Sequence, residues 1–302
     1  MKPIVLITAG DPLGIGPEIT VKALSDPRVK KACRAVVIAE PTSLIKAGFT
    51  ASLADLIALE LPSRLPVRHV PSRIGGLLSF RAAKLGIKMA LQKNTPLVTA
   101  PISKQSWTLA QVPFTGHTEL LRAATRCKEG LMMFVSGNLR CALATEHFAL
   151  AHLPLTQKLV EEKAIHFVSA LKKSGIKKPK IALCAVNPHA SDNGKFGDEE
   201  NKILLPSLKH LRRKGYAIKG PLPSDSAWIS HIRGTYDGLL CMYHDQALLG
   251  LKLAARHPIV HITAGLPFIR TSPAHGTAFD IAGQNKADPE SMIAAILFAA
   301  QK

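Results

Sequence analysis

Eight short apolar runs, separated by stretches with helical spacing, set the main constraint on what this chain can fold into. The runs are Ile4–Thr8, Ala35–Ala39, Leu97–Ala100, Leu131–Val135, Cys141–Ala144, Lys180–Val186, Gly238–Met242 and Ile259–Thr263. They are continuous rather than alternating, which is the pattern of strands covered on both faces. Between them, Pro17–Leu24, Ser79–Leu91, Leu155–Lys173, Asp198–Lys214 and Pro289–Ala300 read as helices. Pro17 and Pro289 suit a helix's first turn, where a missing N–H costs nothing. Strand and helix alternating in this way predict an α/β protein with a largely parallel sheet. No linker-like segment splits the 302 residues, so a second domain is expected to be interleaved with the first.

Charge narrows the partners. The chain carries 39 Lys and Arg against 21 Asp and Glu, a formal +18, so its field favours anions. Its basic residues are dispersed, with short runs such as Lys172-Lys173 and Arg212-Arg213-Lys214 near helix ends, where cations meet the negative end of the dipole. Aromatic residues make up only 5%, and no recognition motif accompanies the charge, which argues against nucleic acid as the partner and for phosphorylated small molecules. Five cysteines without C-x-x-C spacing fit a reducing compartment, and the first apolar run is too short for a signal-peptide core. No apolar stretch is long enough for a membrane span. A cytoplasmic enzyme is the expectation.

In open α/β sheets ligands gather beyond the carboxyl ends of strands. The unusual residues of this sequence fall there. Gly10-Asp11-Pro12-Leu13-Gly14-Ile15-Gly16-Pro17-Glu18 follows the first strand but lacks the G-x-G-x-x-G spacing and the P-loop lysine. It reads equally as a ligand-approach loop or as a tight turn, since Asp11 and Glu18 would oppose an anion. His117, His147, His189 and His244 each sit in a strand-end or polar-loop context, and three or four imidazoles gathered at one sheet edge would hold a divalent ion. His69, His152, His166, His210, His231 and His257 are read as surface or packing residues. Arg270, beside Thr271 and Ser272, offers a cradle for phosphate or carboxylate. Lys104 and Lys252 offer a phosphate contact or a proton. The turn His275–Gly283 could fold around a flat ligand.

Taken together the motifs resemble the 4-hydroxythreonine-4-phosphate dehydrogenase family. The resemblance rests on Gly-Asp-Pro-Leu-Gly-Ile-Gly-Pro-Glu, Thr-Ala-Pro-Ile-Ser-Lys, Phe-Thr-Gly-His-Thr-Glu, Asn-Pro-His-Ala, Met-Tyr-His-Asp-Gln and Gly-Leu-Pro-Phe-Ile-Arg-Thr-Ser-Pro, the last followed by His-Gly-Thr-Ala-Phe-Asp-Ile-Ala-Gly. It implies a two-lobed fold like that of isocitrate and isopropylmalate dehydrogenases, not a Rossmann dehydrogenase. The lobes would be residues 1–118 with 240–302, and 119–239 with the dimer contacts. The resemblance makes His147, His189 and His244 ligands of a divalent metal (Zn, Mg or Co). It makes His117, Thr118, Lys252, His261 and Arg270 substrate contacts, and His275, Gly276 and Asp280 contacts to NAD or NADP. It implies a homodimer with a shared active site, His244 coming from the partner chain. Lys252 or Asp245 is expected to assist proton transfer.

The implied reaction oxidises 4-phosphohydroxy-L-threonine to a β-keto acid that decarboxylates to 3-amino-2-oxopropyl phosphate, a step of pyridoxal phosphate (pyridoxine) biosynthesis. Relatives acting on threonate or erythronate 4-phosphate, or on a cis-dihydrodiol, are the alternative. At position 261 the family usually has asparagine where this chain has histidine, which opens the question of the substrate.

Overall fold

The structure, a computed structural model, describes residues 2–60, 65–66, 69–127 and 130–301. It divides into two compact units, Met1–Lys128 with Val260–Lys302, and Glu129–Ile259. Relative to the expected boundaries, the segment after residue 118 stays with the first unit, because it packs as a helix on the long helix 73–93. Residues 240–259 stay with the second, where their strand and helix pack on the strand 139–143.

The first unit runs β1 (Ile4–Thr8), α1 (Gly16–Ser25), α2 (Pro27–Ala32), β2 (Arg34–Ala39), α3 (Pro41–Lys46), β3 (Asp55–Ala58), α4 (Arg73–Lys93), β4 (Leu97–Thr99), α5 (Lys104–Leu109) and α6 (His117–Thr125). The second contains β5 (Leu131–Ser136), β6 (Leu139–Leu143), α7 (Gln157–Lys173), β7 (Ile181–Cys184), α8 (Leu205–Arg213), β8 (Ile218–Leu222), α9 (Ser224–Ile232), β9 (Gly238–Cys241) and α10 (His244–Ala254). The chain then returns to the first unit with β10 (Val260–Ala264), β11 (Arg270–Pro273) and α11 (Glu290–Ala300).

In the first unit the strand order is β3-β2-β1-β4-β11-β10, parallel except for the antiparallel β10–β11 pair. In the second it is β5-β6-β9-β7-β8, parallel except for the β5–β6 hairpin. Each of the eight apolar runs contains a strand, as continuous burial predicts. Three strands were not legible. β3 is a half-exposed edge, β8 carries Gly220 and Pro221, a composition confined to edge strands, and β11 reads Arg-Thr-Ser-Pro, polar but buried.

Helix α4 starts six residues before the apolar periodicity predicts. Ser72 caps it through the Gly75 amide, and a Cβ at Gly76 would overlap the Ser106 carbonyl of α5, so glycine here permits close helix contact. The predicted helix 198–214 is π-helical over Glu200–Leu204 before α8 begins. Pro206 removes one backbone donor at that junction, and the turn widens. Among the described residues no helix is long and apolar enough to cross a membrane.

Candidate active site

In the first unit the site is built on one face of the sheet. Thr263 lies opposite Arg270 and His261 opposite Ser272 across the β10–β11 ladder, and the two-residue period of a strand puts all four on the same side. The Arg270 side chain is 3% exposed. Its Nη1 donates to Thr263 Oγ1 (3.0 Å) and to His261 Nδ1 (3.3 Å), and its Nη2 to Thr99 Oγ1 (2.7 Å). Its Nε is buried without a partner, and no carboxylate pairs with it among the described residues. Burial pulls the guanidinium down to about 10, so it remains cationic at neutral pH.

His117 opens α6, edge-on to Trp107 at 5.7 Å, and its Nε2 is buried without a partner among the described residues. Burial, then the charges of Arg270 and His261, push its pKa well below the usual imidazole value. His117, His261 and Arg270 therefore form one interacting cluster with Thr118 following on α6. A buried cation among hydroxyls, with no carboxylate paired to it among the described residues, makes a receptor for an anion.

The glycine loop after β1 has a structural task. Asp11 is fully buried, its amide bonded to the Pro101 carbonyl and its Oδ1 accepting from the Leu13 amide (3.1 Å). Burial pushes its carboxyl up. The Ile15 amide donates to the Thr277 carbonyl (2.9 Å), tying this loop to the turn His275–Gly283. Glu18 completes the tie. Its Oε1 accepts from the Ala287 amide (2.8 Å) and from Lys22 Nζ (2.9 Å), which also donates to the carbonyls of Asn285 and Ala287.

Beside this clamp lies a cavity of about 530 Å³, lined among others by Leu13, Gly14, Lys46, His69, Gly283 and Asn285. His69 Nδ1 donates to the Leu13 carbonyl (2.7 Å), which leaves Nε2 as an acceptor. A Cβ at Gly283 would stand 2.7 Å from that nitrogen, so glycine keeps the cavity open. His275, Gly276 and Asp280 stand on the same turn but outside the lining residues; His275 and Asp280 are exposed. His69, read from sequence as a surface or packing residue, supplies an imidazole to the lining of this cavity.

In the second unit the three strand-end histidines follow β6, β9 and β7, which are neighbours in that order. The β6–β9 ladder continues past its strands through the Ala144 amide to the Cys241 carbonyl (2.8 Å) and Thr145 Oγ1 to the Met242 carbonyl (2.6 Å). That brings the rings of His147 and His244 to 5.3 Å between centroids. Two imidazoles on one ion, with metal–nitrogen bonds of about 2.1 Å, hold their centroids at about this spacing. His244 Nδ1 donates to Asp245 Oδ1 (2.7 Å), which leaves Nε2 for a metal, the usual outer-sphere arrangement of a ligating histidine.

His189 is exposed and heads a run of five left-handed residues, His189–Asn193, with φ between 45° and 69°. Among the described residues no three His, Cys, Asp or Glu side chains are grouped closely enough to hold a metal. Lys252 is exposed near the end of α10.

A family model described as pyridoxal phosphate biosynthetic protein PdxA matches residues 28–299. The chain belongs to this family. It is 40% identical over 340 residues to a 4-hydroxythreonine-4-phosphate dehydrogenase from a Synechococcus strain, covering 100% of this chain and 95% of the relative. It is 38% identical over 321 residues to the D-threonate 4-phosphate dehydrogenase of Salmonella typhimurium, covering 98% of each. A crystal structure of 4-hydroxythreonine-4-phosphate dehydrogenase from Klebsiella pneumoniae superposes with a TM-score of 0.88 at 33% identity, covering 100% of this chain and 99% of that one. A β-decarboxylating dehydrogenase from Thermococcus kodakarensis shares the fold at 13% identity, with a TM-score of 0.52 over 97% of this chain and 81% of that one. The fold is thus shared with the β-decarboxylating dehydrogenases, and within its family the chain is an oxidoreductase.

Family membership leaves the residue roles to geometry. Arg270 and His261 come together, with their charges reaching His117, and so do His147, His244 and Asp245. Thr99 and Thr263, which fix the guanidinium, were missed because a threonine in an apolar strand carries no signal. Glu18 and Lys22 were missed as a clamp because their partners lie more than 260 residues away in sequence.

Proposed function

We propose that this chain oxidises the secondary alcohol of a four-carbon, 4-phosphorylated hydroxy acid with NAD or NADP and a divalent metal, the resulting β-keto acid then losing CO2. The names of its relatives supply two candidates, 4-phosphohydroxy-L-threonine and D-threonate 4-phosphate. The first would give 3-amino-2-oxopropyl phosphate and a place in pyridoxal phosphate biosynthesis. The observation that carries the reading is Arg270, a buried cation held by three neutral groups and no carboxylate. Leaving such a charge uncompensated is costly, and an anionic substrate compensates it.

In this reading Arg270, His117 and Thr118 bind the anionic groups of the substrate. The cavity beside Gly283 takes the adenosine end of the dinucleotide, with His69 Nε2 accepting from a base amine or ribose hydroxyl. Its volume lies within the range of small-ligand pockets. His147 and His244 would hold the metal (Zn, Mg or Co), with Asp245 orienting His244. Bound in these places, the ion would supply Lewis acidity toward an alcohol oxygen and the nicotinamide a hydride acceptor. Lys252 is the side chain we assign to proton transfer from the alcohol and to the enol left by CO2.

A homodimer belongs to the same reading. Leu249 and Leu253, one turn apart on α10, are 65% and 81% exposed, and a second copy would cover them. Because His147 and His244 already face each other within one chain, the ligand we assign to the partner copy is His189 rather than His244. Five free cysteines suit a cytoplasmic setting.

The test is NAD reduction with each acid in turn, with CO2 release and the phosphorylated ketone identified by mass. Equal yields of reduced cofactor and CO2 are expected. Cofactor reduction without CO2 would remove the decarboxylation, and absence of both would remove the reading.

A further inference from the structure

The second unit gathers charge that is dispersed in the sequence. Its strands β6, β9, β7 and β8 are parallel, so their amino ends share one rim, opposite the rim that carries His147, His189 and His244. Helices α7, α8 and α9 lead back into β7, β8 and β9, and each therefore ends at that amino-end rim. Segments 172–180, 212–219 and 233–237, which join these helices to their strands, hold ten Lys and Arg and one acid, Asp237. The remainder of 129–259 holds eight Lys and Arg against ten Asp and Glu. The unit's whole excess of positive charge thus stands at one end of its sheet. We propose that this rim binds a linear polyphosphate chain.

Helix ends alone do not account for so many cations. Three C-termini offer about half a negative charge each, far less than the rim carries. Lys172, Lys177, Lys178, Lys180, Lys214 and Lys219 are exposed, and none of them pairs with a carboxylate among the described residues. Asp237 is committed elsewhere, its Oδ2 accepting from the Lys180 amide (2.7 Å). The chemistry of the ligand follows from what the rim presents. Helix C-termini turn carbonyls outward rather than N–H groups, so they form no nest for a single phosphate. Tyr216 and Tyr236, the aromatic residues of these segments, are half-buried, which leaves bases without a stacking platform. Seven of the ten cations are lysines, point charges that demand no fixed geometry. The ligand that fits is a flexible chain of closely spaced phosphates without bases, held by release of its counterions. Seated here, it leaves the histidine-bearing loops open.

The experiment measures binding of end-labelled inorganic polyphosphate to the full chain by fluorescence anisotropy over a range of salt. Two charge-matched variants separate the rim from the field of the whole chain. One carries Lys172→Gln, Lys177→Gln, Lys178→Gln and Lys214→Gln on the rim; the other carries Lys31→Gln, Lys84→Gln, Lys88→Gln and Lys93→Gln in the first unit. All eight positions are exposed, so neither set disturbs a core. The rim variant is expected to bind at least about tenfold more weakly, and its slope of log affinity against log salt to fall by about three to four. The first-unit variant should stay close to the wild type in both. Equal weakening of the two variants would overturn the proposal, because net charge and not the rim would then hold the ligand. Absence of wild-type binding at physiological salt would overturn it as well. Single-stranded DNA with the same number of phosphates, binding as tightly as polyphosphate, would overturn the choice of ligand and assign the rim to nucleic acid.

Discussion

The two units present their chemistry in opposite ways. In the first, Arg270 is buried and fixed by hydroxyls from the two strands on either side of β11, so the anion receptor is complete before a ligand arrives. In the second, His147 and His189 are exposed, and only His147 and His244 have come together. A ladder supports the first arrangement residue by residue. The second depends on loops after strands, and one of those loops holds His189, Ala190 and Ser191, followed by Asp192 and Asn193, in the left-handed conformation, which costs residues other than Gly, Asn and Asp about 1–2 kcal/mol each. In the proposed reading charge recognition is built into the sheet, while metal binding would fall to the loops that follow strands. Strain of this kind clusters where a ligand repays it.

Removing one function while sparing the other would test that division. The largest effect is expected from His244→Ala, with zinc or cobalt affinity measured by equilibrium dialysis falling more than about 100-fold and turnover with it. Calorimetric binding of inorganic phosphate to the same variant should be unchanged. Arg270→Met is the mirror experiment. Methionine fills the buried site without charge, and kcat/KM should fall about 100-fold, mostly in KM, with metal affinity preserved. Loss of metal from Arg270→Met would show that the two sites are not separable.

A smaller effect follows from the clamp. Glu18→Gln weakens charge-assisted bonds to Lys22 and the Ala287 amide, and the dissociation constant for NAD should rise about tenfold, read by quenching of protein fluorescence. Unchanged affinity would detach the turn 275–287 from the dinucleotide.

The smallest effect is on stability. Burial lowers the pKa of His117 in the folded state, so below about 6.5 the unfolded chain takes up a proton that the folded chain refuses. Stability contributed by neutral His117 is thus present above that pH and lost as pH falls through it. In His117→Gln the urea midpoint should lose part of its fall between neutral and mildly acid pH, and an identical profile would mean that His117 titrates normally.

Much of this was legible in the sequence, for identifiable reasons. Every apolar run marked a strand because burial on both faces leaves a continuous pattern. The order β6, β9, β7 was not legible, since parallel strands join through long crossovers and sequence order does not give spatial order. His147 and His244 could be suspected of meeting, but only the sheet brings them together. Arg270 was readable as an anion contact. Its acid-free surroundings were not, because absence of a carboxylate in space leaves no trace in sequence. The motif Gly10–Glu18 was open between ligand loop and turn. Asp11 braces the loop through the Leu13 amide and Glu18 ties it to the 275–287 turn, while Leu13 and Gly14 of the same loop line the cavity, so it serves as both.

The central claim, that an anion receptor and a metal-binding histidine pair serve one oxidation, has a direct test. Protein stripped of metal by chelation should bind D-threonate 4-phosphate yet reduce no NAD. Added zinc or cobalt should restore NADH formation in proportion to the ion bound. Full turnover by the metal-free protein, or none after reconstitution with any divalent ion, would contradict it.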